Sequence, residues 1–264
     1  MRVEQLGEGD PEIAIVGAIH GDEPCGSRAI ERLVQEPPAV DRPVKLIVAN
    51  ERALRRNLRY IDTDLNRAFP GDPHARAHEA GLAHSLLAEL EGTTVLSLHS
   101  THSYPGAFAL CGRRQPSLDS MIPYLSVDAL VETRGFSDGR LIDHDQVIEV
   151  ECGLQGSDQA AENAMGLSRE FLTATGALPR ETAVSREMPV YGLEREISKP
   201  AGTHHRVLAE NFERVARGER FAAVDGTAIT AEQAFYPILM SANGYEDVFG
   251  YAGELVGRLE HTHD

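Results

Sequence analysis

The chain has 264 residues, 42% of them hydrophobic, a formal net charge of -16 and three cysteines. That length fits one large domain or one domain with a smaller companion. The absence of any run of about 18 apolar residues argues against a membrane span, and the acidic balance without a basic patch argues against a nucleic-acid partner. Only Lys45 and Lys199 are lysines, so 23 of the 25 basic residues are arginine. An acidic excess with almost no lysine suits a halophilic protein that stays hydrated in salty cytoplasm. An ordinary acidic protein from a GC-rich genome fits as well, and both readings stay open. The opening MRVEQLGEGDPEIAIVG has no basic segment ahead of an apolar one, so no secretory signal is expected and the location is expected to be cytoplasmic. Cys25, Cys111 and Cys152 show no CxxC spacing, which predicts free thiols.

Along the chain, apolar runs predict strands at Ile13–Val16, Val44–Ala49, Val95–Leu98, Ala107–Cys111 and Val147–Val150. Between them, helical spacing of apolar residues predicts helices over Gly26–Gln35, Ala77–Leu90 and Gln159–Ala174. Strands alternating with helices predict an α/β fold, a sheet covered by helices on both faces. Unbroken apolar strands agree with burial on both sides. After Gly176-Ala-Leu-Pro179 the texture changes. The segment 188–198 alternates like a strand, AAVDGTAIT (222–230) carries an Asp-Gly hairpin signal, and a Gly-rich tail ends the chain. This predicts a catalytic domain over 1–179 and a smaller β-rich domain over 180–264.

In open α/β sheets the site lies beyond the carboxyl ends of the strands. Three of the predicted strands end in groups that bear chemistry: His20-Gly-Asp-Glu23, His99 in LSLHSTHS, and Glu151 in VIEVECG. Two histidines and one carboxylate suit a catalytic zinc and leave a position for water, whose pKa the metal can bring to about 7. Gly17 and Gly21 are expected to let the backbone bend around the H-x-x-E pair. A separate carboxylate is then needed to move protons. Glu151 could serve, and Glu149 shares its strand face. His102 is a rival to His99. The remaining histidines, His261 and His263 among them, are expected on the surface. The stretch 50–71, NERALRRNLRYIDTDLNRAFPG, packs Arg59, Asp62, Asp64, Asn66 and Arg67 into nine positions, and arginines there could hold carboxylates or an oxyanion.

The combination of GAIHGDE, NERALRRNLRYIDTDLNRAFPG, LSLHST and VECGLQG resembles the aspartoacylase/succinylglutamate desuccinylase family, which has a zinc carboxypeptidase-like fold. The resemblance implies a mixed central sheet and one zinc per chain, held by His20, Glu23 and His99. It implies Glu151 as general base and acid and Arg59 as the residue polarising the scissile carbonyl. Asn66 and Arg67 would grip the α-carboxylate of an N-acyl amino acid, with Asp64 supporting their loop. Arg140, with Arg134 as the alternative, would read a side-chain carboxylate, and Tyr245 stands for the family's C-terminal tyrosine. The family often has Asp two residues before the third ligand, where this chain has Ser97, which puts metal affinity and local geometry in question. The expected function is zinc-dependent deacylation of a small acidic N-acyl amino acid such as N-acetylaspartate or N-succinylglutamate. The alternatives are a metallocarboxypeptidase acting on peptides and an inactive metal-binding homologue. The expected partner is a small-molecule substrate, and the family's habit allows a homodimer.

Overall fold

A computed structural model describes residues 1–136, 138–179 and 185–259; His261 and His263 lie outside them. Its strands are β1 (Arg2–Leu6), β2 (Ile13–Gly17), β3 (Val44–Val48), β4 (Thr94–Thr101), β5 (Phe108–Cys111), β6 (Leu130–Glu132), β7 (Val147–Leu154), β8 (Met188–Ser198), β9 (His205–Val207), β10 (Arg220–Val224), β11 (Thr227–Thr230), β12 (Tyr236–Ile238) and β13 (Val248–Leu259). The helices are α1 (Cys25–Gln35), α2 (Glu51–Leu54), α3 (His78–Leu90), α4 (Pro116–Met121) and α5 (Asp158–Ala174).

Ten strands form one sheet in the order β1-β3-β2-β4-β7-β5-β6-β8-β13-β12. The centre is parallel: β2 pairs with β3 and β4, and β4 with β7. Antiparallel neighbours, β5 beside β7 and β13 beside β8, make the sheet mixed, the expected fold class. The unbroken apolar strands have a simple cause. Ile13 and Ile15 of β2 join the core beneath α1 and α5, while Ala14 and Val16 face the core beneath α3. With both faces covered, residues that point either way must be apolar.

The boundary expected at 179/180 falls at the edge of the described residues, and the sheet runs across it. β6 pairs in parallel with β8, Leu130 opposite Val190, so β8, β13 and β12 extend the main sheet. The separate β-rich unit is the small antiparallel sheet β11-β10-β9. Its Asp-Gly hairpin is present: Asp225 (φ 49°) and Gly226 (φ 84°) are both left-handed, as a tight two-residue turn between right-twisted strands requires. The Gly-rich tail is the 12-residue strand β13. Its register against β8 shifts between Val248 and Gly250, Ala252 and Gly253, and Leu255 and Gly257, so glycines that read as loop punctuation mark β-bulges. Among the described residues no helix is long and apolar enough to cross a membrane.

Candidate metal centre and active site

Parallel register brings the strand ends together. Gly17 lies opposite Leu98 and His99 opposite Glu151, so the ends of β2, β4 and β7 open on one side of the sheet. The loop after β2 turns at Ala18 (φ 57°). Gly17 and Gly21 are not left-handed, which corrects the expected reason for them. A Cβ on Gly17 would stand 2.5 Å from the Gly26 carbonyl carbon, and one on Gly21 2.2 Å from that of Ala53. They are small because backbone passes close by. Gln155 Nε2 donates to the Asp22 carbonyl oxygen (3.0 Å) and ties this loop to the end of β7.

One donor atom each from His20, Glu23 and His99 lies within 4.8 Å of the others, the one such group of three among the described residues. All three side chains are buried. His20 Nδ1 stands 2.8 Å from Glu23 Oε1, and His99 Nδ1 3.1 Å from Glu23 Oε2. Buried His20 Nδ1 makes no hydrogen bond of acceptable geometry among the described residues. A ring nitrogen and a carboxylate oxygen this close need a proton or a cation between them. Two imidazoles and a carboxylate with space beside them match the donor set of a catalytic zinc. Burial disfavours the charged form of each group, yet the pairing prevails. The His20 pKa is raised by Glu23 and Asp64, His99 is carried up to about 10 by Glu23 and Glu149, and Glu23 is held well below the usual carboxylate range by the two histidines. A cation bound at these nitrogens would displace those protons.

The 50–71 stretch wraps this centre. Asp64 caps a short 3-10 turn over Leu65–Arg67 by accepting from Asn66 N (2.8 Å). The same carboxylate lies 3.0 Å from His20 Nε2, so it also fixes the ring from behind. Arg59 donates from Nε to Asp64 (3.1 Å) and from NH1 to Glu23 Oε1 (3.1 Å). Sequence reasoning missed Glu79, which organises the loop. This fully buried carboxylate on α3 accepts from the backbone N–H groups of Ile61 (2.7 Å), Asp62 (3.0 Å) and Thr63 (3.2 Å) and from Asn50 Nδ2 (3.0 Å). Glutamate on a helix that otherwise reads as amphipathic gives no sequence signal of this role.

Glu151, Arg59, Asn66, Arg67, Arg140 and Tyr245 line the same cavity as the metal donors. Glu151 Oε2 is buried without a hydrogen-bond partner among the described residues. Burial and the Glu23 carboxylate push its carboxyl up to about 7. Glu149 lines the cavity too, but its carboxylate stands by His99 Nε2, the ring nitrogen remote from Glu23. Arg140 NH2 donates to the Tyr251 hydroxyl (3.1 Å). Arg134, the alternative to Arg140, turns to Glu132 and Glu254 and does not line the cavity. Burial and the neighbouring Arg140 charge lower the Arg67 pKa. Neither Arg67 nor Arg140 has an ion-pair partner among the described residues. Tyr245 packs edge-on against Tyr251 at 6.3 Å, and burial raises its hydroxyl pKa. His102 is exposed at the rim and takes no part in the donor cluster. The three cysteines are buried and free, and Cys25 Sγ donates to the His99 carbonyl (3.2 Å).

A family model described as the succinylglutamate desuccinylase/aspartoacylase catalytic domain matches residues 9–122. Over these residues the chain resembles the aspartoacylase/succinylglutamate desuccinylase family. A probable aspartoacylase from Nostoc sp. is 28% identical over 127 residues, 43% of this chain and 43% of that protein. The aligned part therefore spans less than half the length of this relative. Two solved structures share the fold over nearly the whole chain. The product-bound ectoine utilization protein EutE (DoeB) from Ruegeria pomeroyi has a TM-score of 0.77 at 18% identity, covering 96% of this chain and 87% of its own. Murine aminoacylase 3 has a TM-score of 0.72 at 22% identity, covering 95% and 97%.

Proposed function

We propose that the chain is a zinc-dependent amidohydrolase that removes the acyl group from a small acidic N-acyl amino acid, of the N-acetylaspartate or N-succinylglutamate type. The observation that carries this reading is the meeting of three things in one cavity of about 60 Å³: the His20–Glu23–His99 donors, the unpartnered Glu151 carboxylate, and the Arg67–Arg140 pair. When bound, one zinc per chain supplies Lewis acidity toward a carbonyl oxygen and acidifies water.

Glu151 takes the proton of the attacking water and returns it to the leaving amine, a role suited to a carboxyl raised to about 7. Arg59, beside Glu23, offers its guanidinium to the carbonyl oxygen as negative charge builds there. Asn66 and Arg67 hold the α-carboxylate, and Arg140 takes a second carboxylate. Two guanidiniums side by side on the cavity wall, without ion pairs among the described residues, repel each other, so an anionic substrate is the natural complement. Leu239, Ser241 and Tyr245 line the cavity from the C-terminal part of the chain and leave little room for a peptide. That favours a free acyl amino acid over the carboxypeptidase alternative. A proton shuttle and an oxyanion partner also speak against an inactive metal binder.

The test loads the full chain with zinc at molar salt and measures hydrolysis of N-acetylaspartate, N-succinylglutamate, a neutral N-acetyl amino acid and a short peptide. One zinc per chain and turnover of an acidic acyl amino acid above the neutral one are expected. Peptide cleavage at the greater rate, or no turnover with zinc bound, overturns the proposal.

A further inference from the structure

The two ligand histidines are held from behind by different means. His20 Nε2 has the Asp64 carboxylate at 3.0 Å. His99 Nε2 has the Ser97 hydroxyl at 3.0 Å and, farther off, Glu149 Oε1 at 3.8 Å. Ser97 lies directly opposite Glu149 in the parallel β4–β7 register, one step along the same face from the His99–Glu151 pair. Ser97, His99 and Glu149 are all buried. The Glu149 carboxylate accepts from Asn66 Nδ2 (3.3 Å), and Asn66 Oδ1 in turn accepts from Leu141 N (2.9 Å).

We infer that Glu149 is a positioning residue. It supplies, from the neighbouring strand, the negative charge behind His99 that Ser97 lacks, and it ties that histidine to Asn66. A hydroxyl can accept the Nε2 hydrogen but carries no charge to favour that tautomer. A buried carboxylate nearby favours the Nε2-protonated ring, which leaves the Nδ1 lone pair facing Glu23 and a cation. The position excludes Glu149 from the proton-shuttle role, because it stands on the far side of the imidazole from Glu23. An uncompensated buried carboxylate would be costly, so the imidazole and amide contacts explain why it is tolerated.

The inference rests on the zinc reading, and zinc affinity separates the two. Wild-type chain that binds no zinc defeats that reading, and this inference with it. Wild-type that binds zinc while Glu149→Gln binds it equally well defeats the inference alone. Chelator competition on the full chain should show Glu149→Gln weakening zinc about 10- to 100-fold. Ser97→Asp added to Glu149→Gln should restore most of that loss, because it returns a carboxylate to the same ring nitrogen. The visible spectrum of the cobalt-loaded protein should change in Glu149→Gln and revert in the double variant. Folded protein in which Ser97→Asp restores neither affinity nor spectrum overturns the inference. If Glu149→Gln does not fold, Glu149→Asp takes its place: its shorter carboxylate retreats from His99, so zinc should weaken about tenfold and Ser97→Asp should again restore it. Unchanged affinity in Glu149→Asp counts against the inference.

Discussion

The parallel half of the sheet and its antiparallel extension are built for different tasks. In β2, β4 and β7 both faces are buried, strand direction is uniform, and every carboxyl end opens on one side. Such a half concentrates reactive side chains at one rim. Among β8, β13 and β12 direction reverses at each step and the register shifts three times. This half gives the cavity wall positions such as Leu239, Ser241 and Tyr245, and none of the candidate metal donors. Substitutions in the parallel half should therefore disturb chemistry, while those in the antiparallel half should disturb shape or stability.

The strongest test of that division is Glu151→Gln. Glutamine keeps the shape and loses the titrating group, so turnover should fall at least about a hundredfold with zinc still bound. A base must be ionised, so activity should drop as pH falls through the Glu151 pKa. Burial and the Glu23 carboxylate raise that value to about 7. A bound cation favours the ionised form, so the acid limb of kcat/KM should sit at or below it. The variant should lack that limb. Retained turnover in a metal-loaded variant would move the proton shuttle elsewhere.

Next comes Arg140, which lines the cavity and donates to the Tyr251 hydroxyl of β13. Arg140→Met should raise KM for an acidic substrate about 30-fold, the effect of a lost charge-assisted contact, and change kcat less. Arg134→Met should change KM by less than about twofold, because Arg134 faces Glu132 and Glu254 at the surface. Equal effects from the two variants would mean that substrate charge is read elsewhere.

The parallel half was also the more legible from sequence. Its strands are continuous apolar runs, and three of them lead into His20, His99 and Glu151, so the fold class and the candidate donors His20 and His99 follow from local pattern. The rest of the sheet defeats the same rules. The edge strand β1 is half-exposed and polar (RVEQL), β6 is three residues long, and β13 carries glycines that act as bulges. The contact of Ser97 and Glu149 with one imidazole depends on register between residues 52 positions apart, which no local signal encodes. The hold of Glu79 on the 61–63 backbone is invisible for the same reason.

That hold supplies the third prediction. Burial disfavours the Glu79 charge, but the N–H groups of Ile61 and Asp62, the Asn50 amide and the Thr63 N–H outweigh it, so its pKa lies below the ordinary 4.5. Glu79→Gln keeps one acceptor oxygen and loses the charge, which should destabilise the fold by about 1.5 kcal/mol at neutral pH. The sign with pH follows from the lowered value. The stabilisation is fully present above about 4.5, the unfolded value, and is lost as pH falls through the folded one. Chemical denaturation at several pH values should show the gap between wild type and variant closing in acid. A gap that widens in acid would mean the carboxyl is protonated in the native state.

The smallest expected effect lies farthest from the chemistry, at Gly226 in the β10–β11 turn. Nothing stands within 4 Å of a Cβ placed there, so Gly226→Ala meets no clash. What remains is the strain of holding alanine at φ 84°, about 1 kcal/mol. For a chain of this size that lowers the melting temperature by roughly 2–4 °C. The hairpin residues do not line the cavity, so zinc affinity and turnover should stay within about twofold of wild type. A larger loss of activity at unchanged stability would show that the small sheet takes part in catalysis, and the division between a reactive parallel half and a shaping antiparallel half would fail at its far end.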